Sequence, residues 1–113
     1  MSQTLRYHST AERPAAKLWL FDDDGTLIDF SSGYTFALKI GTKGSAALAT
    51  KSSGFTGATG AGIEPTGTPN VTITWTAGEL AITPGTYTWI LTATTNSLDR
   101  VFEGIFEIED VIT

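Results

Sequence analysis

A chain of 113 residues is long enough for one domain with its own core and needs neither disulfides nor a structural metal to hold it. It contains no cysteine, which removes disulfide and thiolate–metal chemistry. Seven basic against twelve acidic residues leave a net charge of −5, and no basic run interleaves with aromatics, so no nucleic-acid partner is expected.

Met1 to Pro14 reads as a polar arm without periodicity, carrying Tyr7 and the only histidine, His8. It lacks the apolar middle of a signal peptide, and apolar runs such as Leu18–Phe21 are too short to span a membrane. No membrane partner is expected, and the product is read as made in the cytoplasm. An arm of this kind is usually ordered only when something holds it down, which marks Tyr7 and His8 as candidate contacts to a neighbouring subunit. The domain itself is expected over residues 15–113.

Lys17–Asp23 predicts a strand with Trp19 and Phe21 on one face. Asp24-Gly25 is a strong two-residue hairpin signal, and Thr26–Phe30 returns from it. After Ser31-Ser32-Gly33, the residues Tyr34, Phe36, Leu38 and Ile40 alternate with Thr35, Ala37 and Lys39 over a full strand. Gly41–Gly44 predicts a turn and Ala46–Thr50 a short returning strand. Residues 51–70 read as one long Gly/Thr-rich loop; its two sizeable apolar residues, Phe55 and Ile63, anchor it to its own domain or to a neighbour.

Val71–Thr76 resumes strict alternation, with Val71, Ile73 and Trp75 on one side. Ala77–Leu80 predicts a connecting turn, and Leu80 and Ile82 lead to a second turn at Pro84-Gly85. From there to Asp110 two long alternating runs meet at a polar turn containing Asn96, Ser97 and Asp99. Tyr87, Trp89, Leu91 and Ala93 share one face of the first run; Phe102, Gly104, Phe106 and Ile108 share the matching face of the second. A hairpin with two aromatics on each inward face is half of a sandwich core, and no segment keeps helical spacing beyond a turn. The expected fold is therefore all-β, a sandwich of about seven antiparallel strands. On its wet side, Glu103, Glu107 and Glu109 alternate with Val101 and Ile105, a stripe that serves either as edge protection or as a docking surface for a basic partner.

One stretch suggests catalysis. L-W-L-F-D-D-D-G-T-L-I-D over Leu18–Asp29 resembles the first motif of the haloacid dehalogenase superfamily of phosphatases. That resemblance implies Asp22 as the nucleophile on phosphorus and Asp24 as the general acid, with magnesium between them. The family requires a helix next and a longer parallel α/β scaffold to deliver a lysine and further carboxylates, whereas a Ser-Gly break and another alternating strand follow here. A hairpin turn at Asp24-Gly25 explains the same letters, so neither an enzyme nor a cofactor is expected. As a calcium loop the stretch has only Asp22 and Asp24 alternating before Gly25, which leaves these two as a surface-cation candidate. His8 could complete a Ser-His-Asp site only if the arm folded into a cleft.

Taken together, F-D-D-D-G-T-L-I-D-F, Y-T-F-A-L-K-I, V-T-I-T-W-T, L-A-I-T-P-G-T-Y-T-W-I-L-T-A-T and F-E-G-I-F-E-I resemble the immunoglobulin-like N-terminal module of phage upper-baseplate proteins and related small virion proteins. The resemblance spans most of Lys17–Asp110, and its most specific part is P-G-x-Y-x-W-x-L after a W-T strand. It implies an immunoglobulin-like sandwich with a structural role in a virion, docking on other virion proteins and on copies of itself in a symmetric assembly. The chain departs from the upper-baseplate proteins in having nothing after the module, so a receptor-binding platform is not implied. An alternative from a different class is a module that recognises carbohydrate through exposed aromatics. All three tryptophans face the core by periodicity, which speaks against it.

Overall fold

Alternating apolar and threonine positions become strands, and among the described residues there is no helix. The computed structural model describes residues 4–8, 15–63, 66–76 and 83–109, with Tyr7, His8 and Glu109 described by backbone alone. The turn expected over 77–80, with Leu80 and Ile82, lies outside the described residues, as does most of the expected arm. The described residues form eight strands: β1 (Thr4–His8), β2 (Ala16–Leu18), β3 (Thr35–Gly41), β4 (Ala49–Lys51), β5 (Phe55–Gly57), β6 (Val71–Ile73), β7 (Gly85–Thr95) and β8 (Leu98–Glu109). They form a five-stranded sheet in the order β1-β8-β7-β3-β4 and a three-stranded sheet in the order β2-β6-β5, an arrangement consistent with a β-sandwich.

The β7–β8 hairpin is the longest pairing, running without interruption from Gly85 opposite Ile108 to Thr95 opposite Leu98. Its two-residue turn places Asn96 at φ 47° and Ser97 at φ 65°. Both central residues are left-handed, as a type I′ turn requires, and the matching twist keeps the long strands in register. Inward positions of the hairpin are buried as the alternation predicts: Trp89, Leu91, Ala93 and Phe106 are inaccessible and Ile108 nearly so. They meet Leu38 and Ile40 of β3 and, from the smaller sheet, Ala16, Leu18, Val71 and Ile73 in one apolar cluster. Burial of that cluster is the main stabilising term of the fold.

Three segments differ from the sequence-based expectation. Thr4–His8, inside the expected arm, forms β1 and pairs in parallel with β8, Thr4 opposite Ile105 and His8 opposite Glu109. Among the described strands, β1 and β8 are therefore a parallel pair in a fold expected to be antiparallel. Leu5 of β1 joins the core, but a five-residue strand is too short a run to leave a readable period. Residues 51–70 are not one structureless loop: Lys51 closes β4, Phe55–Gly57 is β5, and Ala61 bridges Thr68. The glycines there admit close backbone contact; a Cβ on Gly57 would lie 2.0 Å from the Phe30 carbonyl oxygen, and one on Gly67 would lie 2.2 Å from that of Ala61.

The third segment is Lys17–Asp23, where the strand ends at Leu18 and Leu18, Trp19 and Leu20 are buried in succession. Alternation fails because a side chain replaces the neighbouring strand. Asn70 is fully buried, and its Oδ1 accepts the Leu20 N–H at 2.9 Å. Its Nδ2 donates to the carbonyls of Leu20 at 2.8 Å and Ile28 at 3.0 Å. With its backbone N–H donating to Leu18 and its carbonyl accepting from Ala58, Asn70 ties three segments together.

Candidate functional site

The D-D-D-G-T stretch is a tight hairpin turn. Phe21 and Leu27 bridge across it, the Gly25 N–H donates to the Asp22 carbonyl at 2.9 Å, and the Asp22 N–H donates to the Thr26 carbonyl at 2.8 Å. Gly25 takes φ +85°, the left-handed position of such a turn. Asp24 Oδ1 accepts the Thr26 N–H at 3.0 Å, and this bond, with one from the Thr26 hydroxyl, holds its carboxyl below the ordinary carboxylate range. Asp29 is lowered in the same way by the Ser31 hydroxyl and N–H. The Asp22 carboxylate pairs with the Arg100 guanidinium on β8, which moors the turn beside the Asn96 end of the large sheet.

The resemblance to a phosphatase motif thus falls on a β-turn, with no helix after it among the described residues. Asp22 and Asp24, the surface-cation candidates, are engaged with Arg100 and Thr26. Among the described residues no group of three or more His, Asp or Glu side chains is placed to hold a metal ion.

The second feature is the outward face of the five-stranded sheet. Threonines Thr86, Thr88, Thr92 and Thr94 run along β7 with Ile90 among them, next to Val101, Glu103, Ile105 and Glu107 on β8. Val101 is 63% and Ile105 45% exposed. Glu107 accepts from Arg6 Nε on β1 at 2.7 Å, and Glu103 accepts from Lys43 Nζ at 2.8 Å. Both described carboxylates of this stripe are therefore held by cations of the same chain, which leaves its apolar residues as the free element. Lys43 belongs to the β3–β4 turn, where the Ser45 N–H donates to the Thr42 carbonyl and Gly44 has φ +84°. Reaching across to Glu103, this turn walls a hollow of about 310 Å³ whose floor is Lys39, Thr88 and Ile90.

The sequence-predicted contact residues do not converge. Tyr7 and His8 lie in register with Ile108 and Glu109 at the β1 side of the large sheet. Phe55 turns into its own domain and packs on Phe36 at 5.6 Å between ring centroids, while Ile63 is 65% exposed. Trp19 and Trp89 are buried, and Trp75 is half-buried against Phe106. The sequence reading also missed Lys51, which is buried with its ammonium 5.6 Å from the Trp75 ring centroid. A lysine in a Gly/Ser-rich stretch carries no signal of burial; only its pairing opposite Leu38 puts it there.

No protein-family model matches the chain, and neither a curated protein nor a solved structure matches it at significance.

Proposed function

We propose that this chain is an immunoglobulin-like module and a non-enzymatic structural component of a bacteriophage virion, docking on other virion proteins and on copies of itself. The strand order supports the immunoglobulin-like reading. β2-β6-β5 corresponds to strands B, E and D, and β8-β7-β3 to G, F and C, with β4 beside C and β1 parallel to G. A corner tyrosine supports it further: the Tyr87 hydroxyl donates to the Thr83 carbonyl at the start of β7. Immunoglobulin-like domains carry such a tyrosine near the start of strand F, bonded back to the backbone a few residues upstream. Trp89 then stands two residues later, where antibody domains have their second cysteine, and its indole fills the space between sheets in a chain without cysteine.

The observation that carries the docking function is the pair Val101 and Ile105, exposed on a broad sheet face beside Glu103 and Glu107, whose carboxylates are already paired within the chain. A structural subunit uses such a surface for burial against a neighbour. Replacing both residues by lysine and measuring incorporation into purified particles tests it. Loss of incorporation with an unchanged melting temperature is expected; normal incorporation contradicts the assignment of this face.

A further inference from the structure

The two charged features lie at opposite ends of the large sheet. Thr35 of β3 pairs with Thr94 beside the Asn96 turn, where Arg100 moors the acidic hairpin, whereas Gly41 pairs with Thr88 beside the lysine-walled hollow. Six residues of strand separate these ends, about 20 Å. At the hairpin tip Asp23 and Asp24 are exposed; Asp23 meets no cation among the described residues, and Asp24 uses one oxygen on Thr26. At the hollow, Lys39 meets no carboxylate among the described residues. Lys43 gives one of its ammonium protons to Glu103 and retains two.

We propose that the Asp23-Asp24 tip of one copy seats in the Lys39–Lys43 hollow of the next, making a heterologous, head-to-tail contact. The occupant is a second copy of this chain because the chain itself carries both complementary parts. The tip is narrow, held rigid by its internal hydrogen bonds and by the Arg100 pair, and displayed at the end opposite the hollow. Contacts of this kind repeat without limit or close into rings. Two carboxylates against two ammoniums give a weak, salt-sensitive association, suited to subunits that a lattice already holds close together. The proposal rests on the docking reading above and specifies one of its contacts.

Sedimentation velocity of the full chain at low salt, from about 10 µM to about 1 mM, reads the association directly. Wild type is expected to associate with rising concentration and to dissociate in about 1 M NaCl, where the screening length falls to about 3 Å. The hollow variant Lys39→Glu/Lys43→Glu and the tip variant Asp23→Lys/Asp24→Lys should each be monomeric alone. Mixed, they should associate again, since each tip then meets a hollow of the opposite charge on the other variant. Wild type that stays monomeric throughout overturns the contact, as does association unaffected by either variant. If a charge reversal does not fold, Lys39→Gln and Asp23→Asn serve instead, with weakened association expected. A chain found in particles yet indifferent to these substitutions sinks this contact alone; a chain absent from particles sinks the docking reading.

Discussion

The hydroxyl of Tyr87 donates to the backbone carbonyl of Thr83, four residues upstream, latching the chain where it turns into β7. The bond fixes the angle at which the long hairpin starts, and two residues later Trp89 is fully enclosed between the sheets. Tyr87→Phe keeps the ring and removes only the donor. It is expected to cost about 0.5–1.5 kcal/mol, the net worth of one such bond, in equilibrium denaturation with an unchanged slope. No loss of stability would mean that the ring alone holds the turn.

Asn70 should be far less tolerant. Asn70→Ala leaves the Leu20 N–H and the Ile28 carbonyl without their buried partner, while the Leu20 carbonyl keeps only the Ile28 N–H; at about 1–3 kcal/mol per orphaned group the loss is expected to be about 2–6 kcal/mol. Asn70→Asp keeps the acceptor but turns an oxygen toward two carbonyls. Its carboxyl is then easier to protonate in the folded state than in the unfolded chain, so this variant should be most stable at low pH and lose stability as pH rises. Chemical denaturation across acid to neutral pH checks the sign.

Much of the large sheet was legible in the sequence because alternation survives wherever one strand face is wet: Tyr87–Ala93, Phe102–Ile108 and Tyr34–Ile40 were each assigned to the correct side. The type I′ turn at Asn96-Ser97 was legible for its chemistry. Failures occurred where a partner far along the chain decides the structure. Leu20 depends on Asn70, β1 on β8, and Gly57 on Phe30; Leu20 reads as strand and the other two as arm and loop, because the hydrogen bonds or close contacts that decide them are non-local. At the candidate site, Val101 and Ile105 could be placed on the wet face, but the cations that neutralise Glu103 and Glu107 come from a turn and a strand at quite different points of the chain.

Glycines separate by what surrounds them. Gly57→Ala drives a methyl into the Phe30 carbonyl and is expected to cost at least the about 1–3 kcal/mol typical of overpacking. Gly44→Ala meets open space and only the strain of φ +84°, about 1–2 kcal/mol. Thermal melts of the two variants should rank Gly57→Ala lower; the reverse order would place β5 differently against Phe30.

Acid should weaken the hairpin end first. Asp24 and Asp29 have carboxyls lowered by bonds from Thr26 and Ser31, so their contribution is fully present above the ordinary carboxylate value and is lost as pH falls through the folded value. The double variant Asp24→Ala/Asp29→Ala should therefore show a flatter dependence of melting temperature on pH in the acid range than wild type. Parallel curves would contradict the role of these bonds.

The central claim is that this chain is a repeated structural subunit of a phage particle. Quantitative mass spectrometry of purified particles, with each protein's copy number referred to the major capsid protein, tests it most directly. The account predicts a fixed, reproducible number of copies that resists washing; absence from the particle, or a trace amount that varies between preparations, would contradict it.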